Sequence, residues 1–188
     1  MRQRFSREVV PALTAMAKKL KFIDETGAHL GLTRLHGRAA PGQRVVEATP
    51  GYSGAHYTTI AALGLQGVSA PWAFEGAMNA VAFETYVEFV LGPTLRRGDI
   101  VVIDNLSAHK SARVCRLIEA RGARVEFLPP YSSDFNPIEL CWAKIKNALR
   151  AAKARTWEAL IKALAKALRA VTPKQAQAWF AHCGYALA

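Results

Sequence analysis

The sequence predicts an α/β fold around a mixed sheet, and three patterns carry the prediction. Two apolar runs, LKFIDETG at 20–27 and DIVVIDN at 99–105, close on acidic residues; β-branched and aromatic residues recur around glycines at 56–76; and the chain after Pro137 has the apolar spacing of helices.

In chain order, LKFIDETGAHLGL has an apolar start, two acids and then turn-prone Gly27 and Gly31, which reads as a strand whose polar end opens to solvent. HYTTIAALGLQGVSAPWAFEG, broken by Gly64 and Gly67, reads as a hairpin, so the first three strands are antiparallel neighbours. NAVAFETYVEFVLGPTLRRG is a helix with Val81, Tyr86 or Val87, Val90 and Leu91 on its apolar face and Gly92-Pro93 as the breaker. DIVVID is continuous enough to be a strand buried on both faces, and SARVCRLIEARGARVEFLPP adds a helix, Gly122 and a short strand. Residues 99–128 therefore form a β-α-β crossover with parallel strands, which makes the sheet mixed. From Pro137 to about Arg150 a helix presents Ile138, Trp142, Ile145 and Leu149 to the core, and TWEALIKALAKALRAV and KQAQAWFAHCGY extend a helical tail.

With 188 residues the chain is most simply one domain, preceded by a basic leader at 1–19. A hydrophobic fraction of 51% without low-complexity tracts argues for a folded core rather than disorder. The 25 Lys and Arg outnumber the 14 Asp and Glu, a formal net charge of +11, and such a field attracts polyanions, nucleic acid first among them, although charge alone selects no particular one. Cys115, Cys141 and Cys183 are odd in number and far apart, so neither a disulfide framework nor a zinc site is suggested. No apolar run reaches the ~20 residues of a membrane span and the leader lacks a signal-type stretch. The expectation is a cytoplasmic chain with no membrane partner.

Asp24 and Asp104 each close an apolar strand, at the sheet edge where α/β folds build their sites. If those strands are neighbours, two like charges converge and need a cation between them, and hard oxygen ligands favour Mg2+ or Mn2+. Glu139 follows Asp104 with 34 residues between them, in the first turn of a helix. Asn136, Pro137 and Glu139 occupy what would be its N-cap, first and third positions, so Glu139 reads either as part of a cap or as a ligand aimed at the two aspartates. Glu25 points to the opposite strand face from Asp24 and is read as structural, and Asp134 as shaping the turn before the helix.

FIDETG, VVIDNLSAHK and LPPYSSDFNPIELCWAKIKNALR together resemble the three signature blocks of the DDE transposases related to mariner, in the bacterial insertion-sequence branch called family six-thirty. The resemblance runs from about Leu20 to the end of the chain and includes the spacing between Asp104 and Glu139. It implies an RNase H-like fold for residues 20–188, a central mixed five-stranded sheet flanked by helices with extra C-terminal helices. It also implies Asp24, Asp104 and Glu139 as catalytic metal ligands for two Mg2+ or Mn2+ ions, double-stranded DNA of transposon ends and target as the partner, and a bacterial, nucleoid-associated location in the cytoplasm. The implied activity is phosphodiester cleavage at element ends followed by strand transfer; the alternatives are a nuclease of the same fold that only cuts and a catalytically silent DNA-binding remnant.

Asn105 and His109 fall in the family's second block and are expected beside the site, with a helix-start hydrogen bond as the other reading of His109. Candidates for DNA phosphate contact are Arg34, Arg38 and Arg44, then Lys110, and Lys144, Lys146 and Arg150 on the helix that carries Glu139; a solvated cationic face is the alternative for each. Family members carry helix-turn-helix modules before the first catalytic strand, and only about twenty residues precede it here. End recognition is therefore expected from an upstream frame or a separately encoded DNA-binding protein, with a homodimer assembling on DNA.

Overall fold

The computed structural model describes residues 1–52, 54–106 and 110–186. Five strands form one sheet: β1 (Leu20–His29), β2 (His56–Gly64), β3 (Gly67–Glu75), β4 (Ile100–Ile103) and β5 (Arg124–Phe127), in the order β3-β2-β1-β4-β5. β1, β2 and β3 pair antiparallel, while β1–β4 and β4–β5 pair parallel, so the expected mixed sheet is present with β1 at its centre. The parallel half is joined by α4 (Ala112–Glu119), because only a crossover can return a strand in the same direction. Pro71 is tolerated in β3 because that strand is an edge, and the register there shifts opposite Ala61, with Ala70 at φ +49.

Each face of the sheet buries its own cluster. Leu20, Phe22, Ile100 and Val102 project toward α2 (Val10–Thr14), α5 (Pro137–Ala152), α6 (Trp157–Arg169) and α7 (Pro173–His182). Ile23, Val101 and Ile103 pack on the other side against α3 (Ala80–Tyr86), the wide π-type turn at Val87–Leu91, and α4. Strand alternation thus sets which face each carboxylate can occupy.

The stripe on α5 is as expected: Ile138, Trp142, Ile145 and Leu149 are buried, together with Cys141. Of the stripe expected at 81–91, Tyr86, Val87 and Leu91 are buried, while Val81 is 73% exposed. Phe83, three and four positions before Tyr86 and Val87, is the residue that an ordinary helical period places on the inner face, and it is fully buried.

The leader is a folded part of the molecule. Short α1 (Arg2–Arg4), a π-type segment (Phe5–Val9) and α2 bury Phe5, Val10, Leu13 and, just beyond, Ala17 against the α5–α7 side of the core. Residues 30–55 between β1 and β2 contain no helix or strand among those described. Their ends are tied to the C-terminal end of α5: Arg155 Nη1 donates to the carbonyls of Leu30 (2.8 Å) and Leu32 (3.0 Å), and Lys153 pairs with Glu47.

Candidate active site

Register alone brings the first two acids together. Ile23 pairs with Ile103 in the parallel β1–β4 ladder, so the next residues, Asp24 and Asp104, are side by side on strands about 4.8 Å apart. Both have the parity of Phe22 and Val102, whose side chains face α5. Glu25 has the parity of Ile23 and faces the other way, as its structural reading required.

Glu139 enters from α5 in the first helical turn and is exposed to solvent. Asp24, Asp104 and Glu139 line one cavity of about 530 Å³, with Asn105, Leu106, the 128–133 loop and Asn136 completing its wall. The backbone of Asn136 takes the N-cap position and Pro137 the first helical position, but neither Asn136 nor Glu139 forms a side-chain cap. A capping box does close α7, between Thr172 and Gln175.

The Asn136 side chain is instead directed across the cavity floor, its Nδ2 donating to Asp24 Oδ2 at 3.4 Å. This corrects the reading of Asn136 as a side-chain cap at the N-cap position. A residue 3% exposed whose amide oxygen has no hydrogen-bond partner among the described residues is a polar group held at a site rather than used for local folding. Nothing in the local sequence distinguishes this use from a cap.

Asp24 also receives the Glu25 backbone N–H on Oδ1 at 2.9 Å. Its carboxyl is nevertheless pushed up from 3.8 to about 8, first by burial, then by the charge of Glu139, of Glu25 and finally of Asp104. A carboxylate held in low dielectric among other acids is costly unless a cation joins it, and an all-oxygen donor set suits a hard divalent ion. The donor chemistry therefore fits Mg2+ or Mn2+. Among the described residues, no three His, Cys, Asp or Glu side chains stand in an arrangement that encloses an ion as they are. Asp104 Oδ1 accepts the Leu106 N–H at 3.1 Å, a turn that starts the loop after β4.

The other expected residues are distributed as follows. Asn105 lines the acid cavity, and it also lines an adjoining hollow with Arg4 and Lys110. His109 lies outside the described residues. Arg34, Arg38 and Arg44 are exposed on the 30–55 segment. Lys146 and Arg150 continue the Glu139 side of α5, half-buried, with Arg150 reaching Asn147 at 3.3 Å. Lys144 is differently engaged: its ammonium donates to the Ala170 carbonyl and to Gln175 Oε1, both at 2.6 Å, and so fastens α5 to α6 and α7. Asp134 forms a two-pronged pair with Arg2, both contacts at 2.9 Å, which supports the turn-shaping role and involves the leader in it.

A family profile described as DDE superfamily endonuclease matches residues 19–161. No curated protein matches the chain by sequence. Among solved structures, the chain is similar to the Mos1 mariner paired end complex with Mn (TM-score 0.77, 17% identity, covering 97% of this chain and 58% of that one). It is similar to the Mos1 Strand Transfer Complex (TM-score 0.73, 17% identity, 97% and 57%) and to the catalytic domain of Mos1 mariner transposase (TM-score 0.70, 14% identity, 97% and 88%). The chain thus spans less than two thirds of the transposases in those complexes but nearly all of the isolated catalytic domain. Its mixed five-stranded sheet with flanking helices is the RNase H-like fold.

Proposed function

Because the chain belongs to the DDE superfamily of endonucleases, we propose that it is the catalytic domain of a metal-dependent DNA transposase, which cleaves phosphodiesters at element ends and transfers the freed strand into target DNA. The observation that carries this reading is the convergence of Asp24, Asp104 and Glu139, from β1, the end of β4 and α5, on one cavity.

In this reading the three carboxylates hold the divalent ions, and Asn136 keeps the Asp24 carboxylate turned into the cavity by its amide. A pair of Mg2+ or Mn2+ ions there would activate a water for in-line attack at phosphorus and stabilise the departing 3′ oxygen. The chain's own part is to fix where the phosphodiester sits. Two acids on adjacent rigid strands and one on a helix whose inner face is buried leave little freedom in the site. Exposed Arg34, Arg38, Arg44 and Lys110, with Lys146 and Arg150 along α5, supply phosphate contacts to double-stranded DNA. No covalent protein intermediate is required, since the released 3′-hydroxyl is itself the nucleophile for joining.

Assignment to the insertion-sequence branch rests on the three sequence blocks. With it come a homodimer on paired ends and end recognition by a helix-turn-helix module.

The test is divalent-dependent nicking of a labelled duplex by the chain and by Glu139→Gln. Abolished nicking with a melting temperature unchanged or raised is the expected result, because Glu139 is exposed, takes no part in a cap and adds like charge beside Asp24. Nicking retained by the variant would overturn the assignment. Strand joining, assayed with a pre-cut 3′-hydroxyl end, separates transposase from a nuclease that only cuts.

A further inference from the structure

Tyr131 combines two unfavourable features at the rim of the acid cavity. Its residue is fully exposed, at 101%, and its backbone has φ +54, the left-handed region that a bulky side chain rarely adopts. Such a conformation persists only where its surroundings impose it.

Arg2 Nη1 donates to the Tyr131 carbonyl at 2.9 Å and to Ser132 Oγ at 2.8 Å, while the same guanidinium grips Asp134. The Arg2 guanidinium also lies over the Phe135 ring, 5.3 Å from its centre. Buried Ser132 donates back to the Pro130 carbonyl at 3.0 Å, and Pro129 and Pro130 restrict the chain just before the tyrosine. Contacts from a residue about 130 positions away thus hold a strained turn whose visible product is one aromatic ring presented to solvent beside three carboxylates.

An uncovered aromatic face next to a phosphodiester site matches one partner chemistry, a nucleobase, which has a flat π face and arrives attached to the phosphate the acids need. We propose that Tyr131 is a substrate-positioning residue that stacks on a base with an open face, as at a strand end or nick, in the strand whose phosphodiester occupies the cavity. Arg2 and Ser132 are then positioning residues that act through the turn. The inference rests on the DNA-cleaving function proposed above.

The experiment uses the full chain in metal-free buffer and a duplex with a short 3′ overhang carrying 2-aminopurine next to the junction. Tyr131→Gly keeps the left-handed backbone accessible and removes only the ring. It is expected to weaken binding of the overhang duplex roughly 5- to 100-fold and to abolish quenching of the 2-aminopurine, with melting temperature unchanged or raised. Tyr131→Trp is expected to keep both binding and quenching. Binding and quenching by Tyr131→Gly equal to those of the parent chain, in a preparation that nicks duplex with Mn2+, overturn this inference and leave the proposed function standing. A parent chain that neither binds DNA nor nicks it overturns both.

Discussion

Asp24→Asn should make the metal-free protein more stable, and the size of the gain follows from the carboxyl's surroundings. Its pKa rises from 3.8 to about 8 on folding, through burial and then through Glu139, Glu25 and Asp104. At about 1.4 kcal/mol per unit, four units set a ceiling of roughly 5–6 kcal/mol on the cost of holding the charge. The folded state binds the proton more tightly, so the parent loses stability as pH rises from about 4 to about 8 and has lost all of this contribution above it.

An amide at position 24 has no charge to bury. It still accepts the Glu25 N–H, and the Asn136 amide can turn its unpartnered oxygen toward the new NH2 group. The carboxyl lines an open cavity, where solvent screens part of the cost, so the expected gain at pH 8.5 is about 2–5 kcal/mol, falling to near zero at pH 4. In a chain of 188 residues that is a rise in melting temperature on the order of 5–15 °C. Urea unfolding of both variants in EDTA at pH 4, 6, 7 and 8.5 isolates the effect, since all other groups are shared. Added Mg2+ or Mn2+ should then stabilise the parent and leave Asp24→Asn nearly unchanged. Equal stabilities at every pH would refute the reasoning, by showing that the carboxyl meets neither low dielectric nor like charge.

Two further outcomes test the packing around the site. Trp142→Ala, at a residue only 2% exposed in the centre of the α5 stripe, should cost about 3–5 kcal/mol in urea unfolding with little change in m-value. Lys144→Ala should cost about 1 kcal/mol and speed hydrogen exchange across 173–182, because it unfastens α7 from α5, and it should leave the salt dependence of DNA binding unaltered. Lys146→Ala should do the reverse, keeping stability and reducing the log–log salt slope by about one unit for a lost phosphate contact.

Much of the architecture follows from patterns of a few residues. The apolar entry at 20–23 and the continuous apolar run at 100–103 became the start of β1 and β4, Gly64 and Gly67 bounded the hairpin turn, Gly122 ended the crossover helix, and the Ile138, Trp142, Ile145, Leu149 stripe faced the core. These features are local: each depends on side-chain period, turn chemistry or a breaker within one element. That Asp24 and Asp104 would meet was conditional on their strands being neighbours, and the β1–β4 pairing meets that condition.

Where a helical phase is misread or a contact spans the chain, local pattern loses its force. Val81, expected in the core, is exposed, and Phe83, at helical spacing from buried Tyr86 and Val87, takes the inner face. Asn136 looked like a cap, yet its partner is 112 positions away; Arg2 looked like part of a basic leader, yet it organises the loop that carries Tyr131; Lys144 looked like a phosphate contact, yet it fastens α5 to α6 and α7. The sequence by itself determined the strands, the helices and the three acids worth following, because those depend on chemistry within reach of a single turn or strand. Only the tertiary structure decided which polar side chains serve the cavity and which brace the fold, because a hydrogen bond depends on where two distant segments are brought to within about 3 Å of each other.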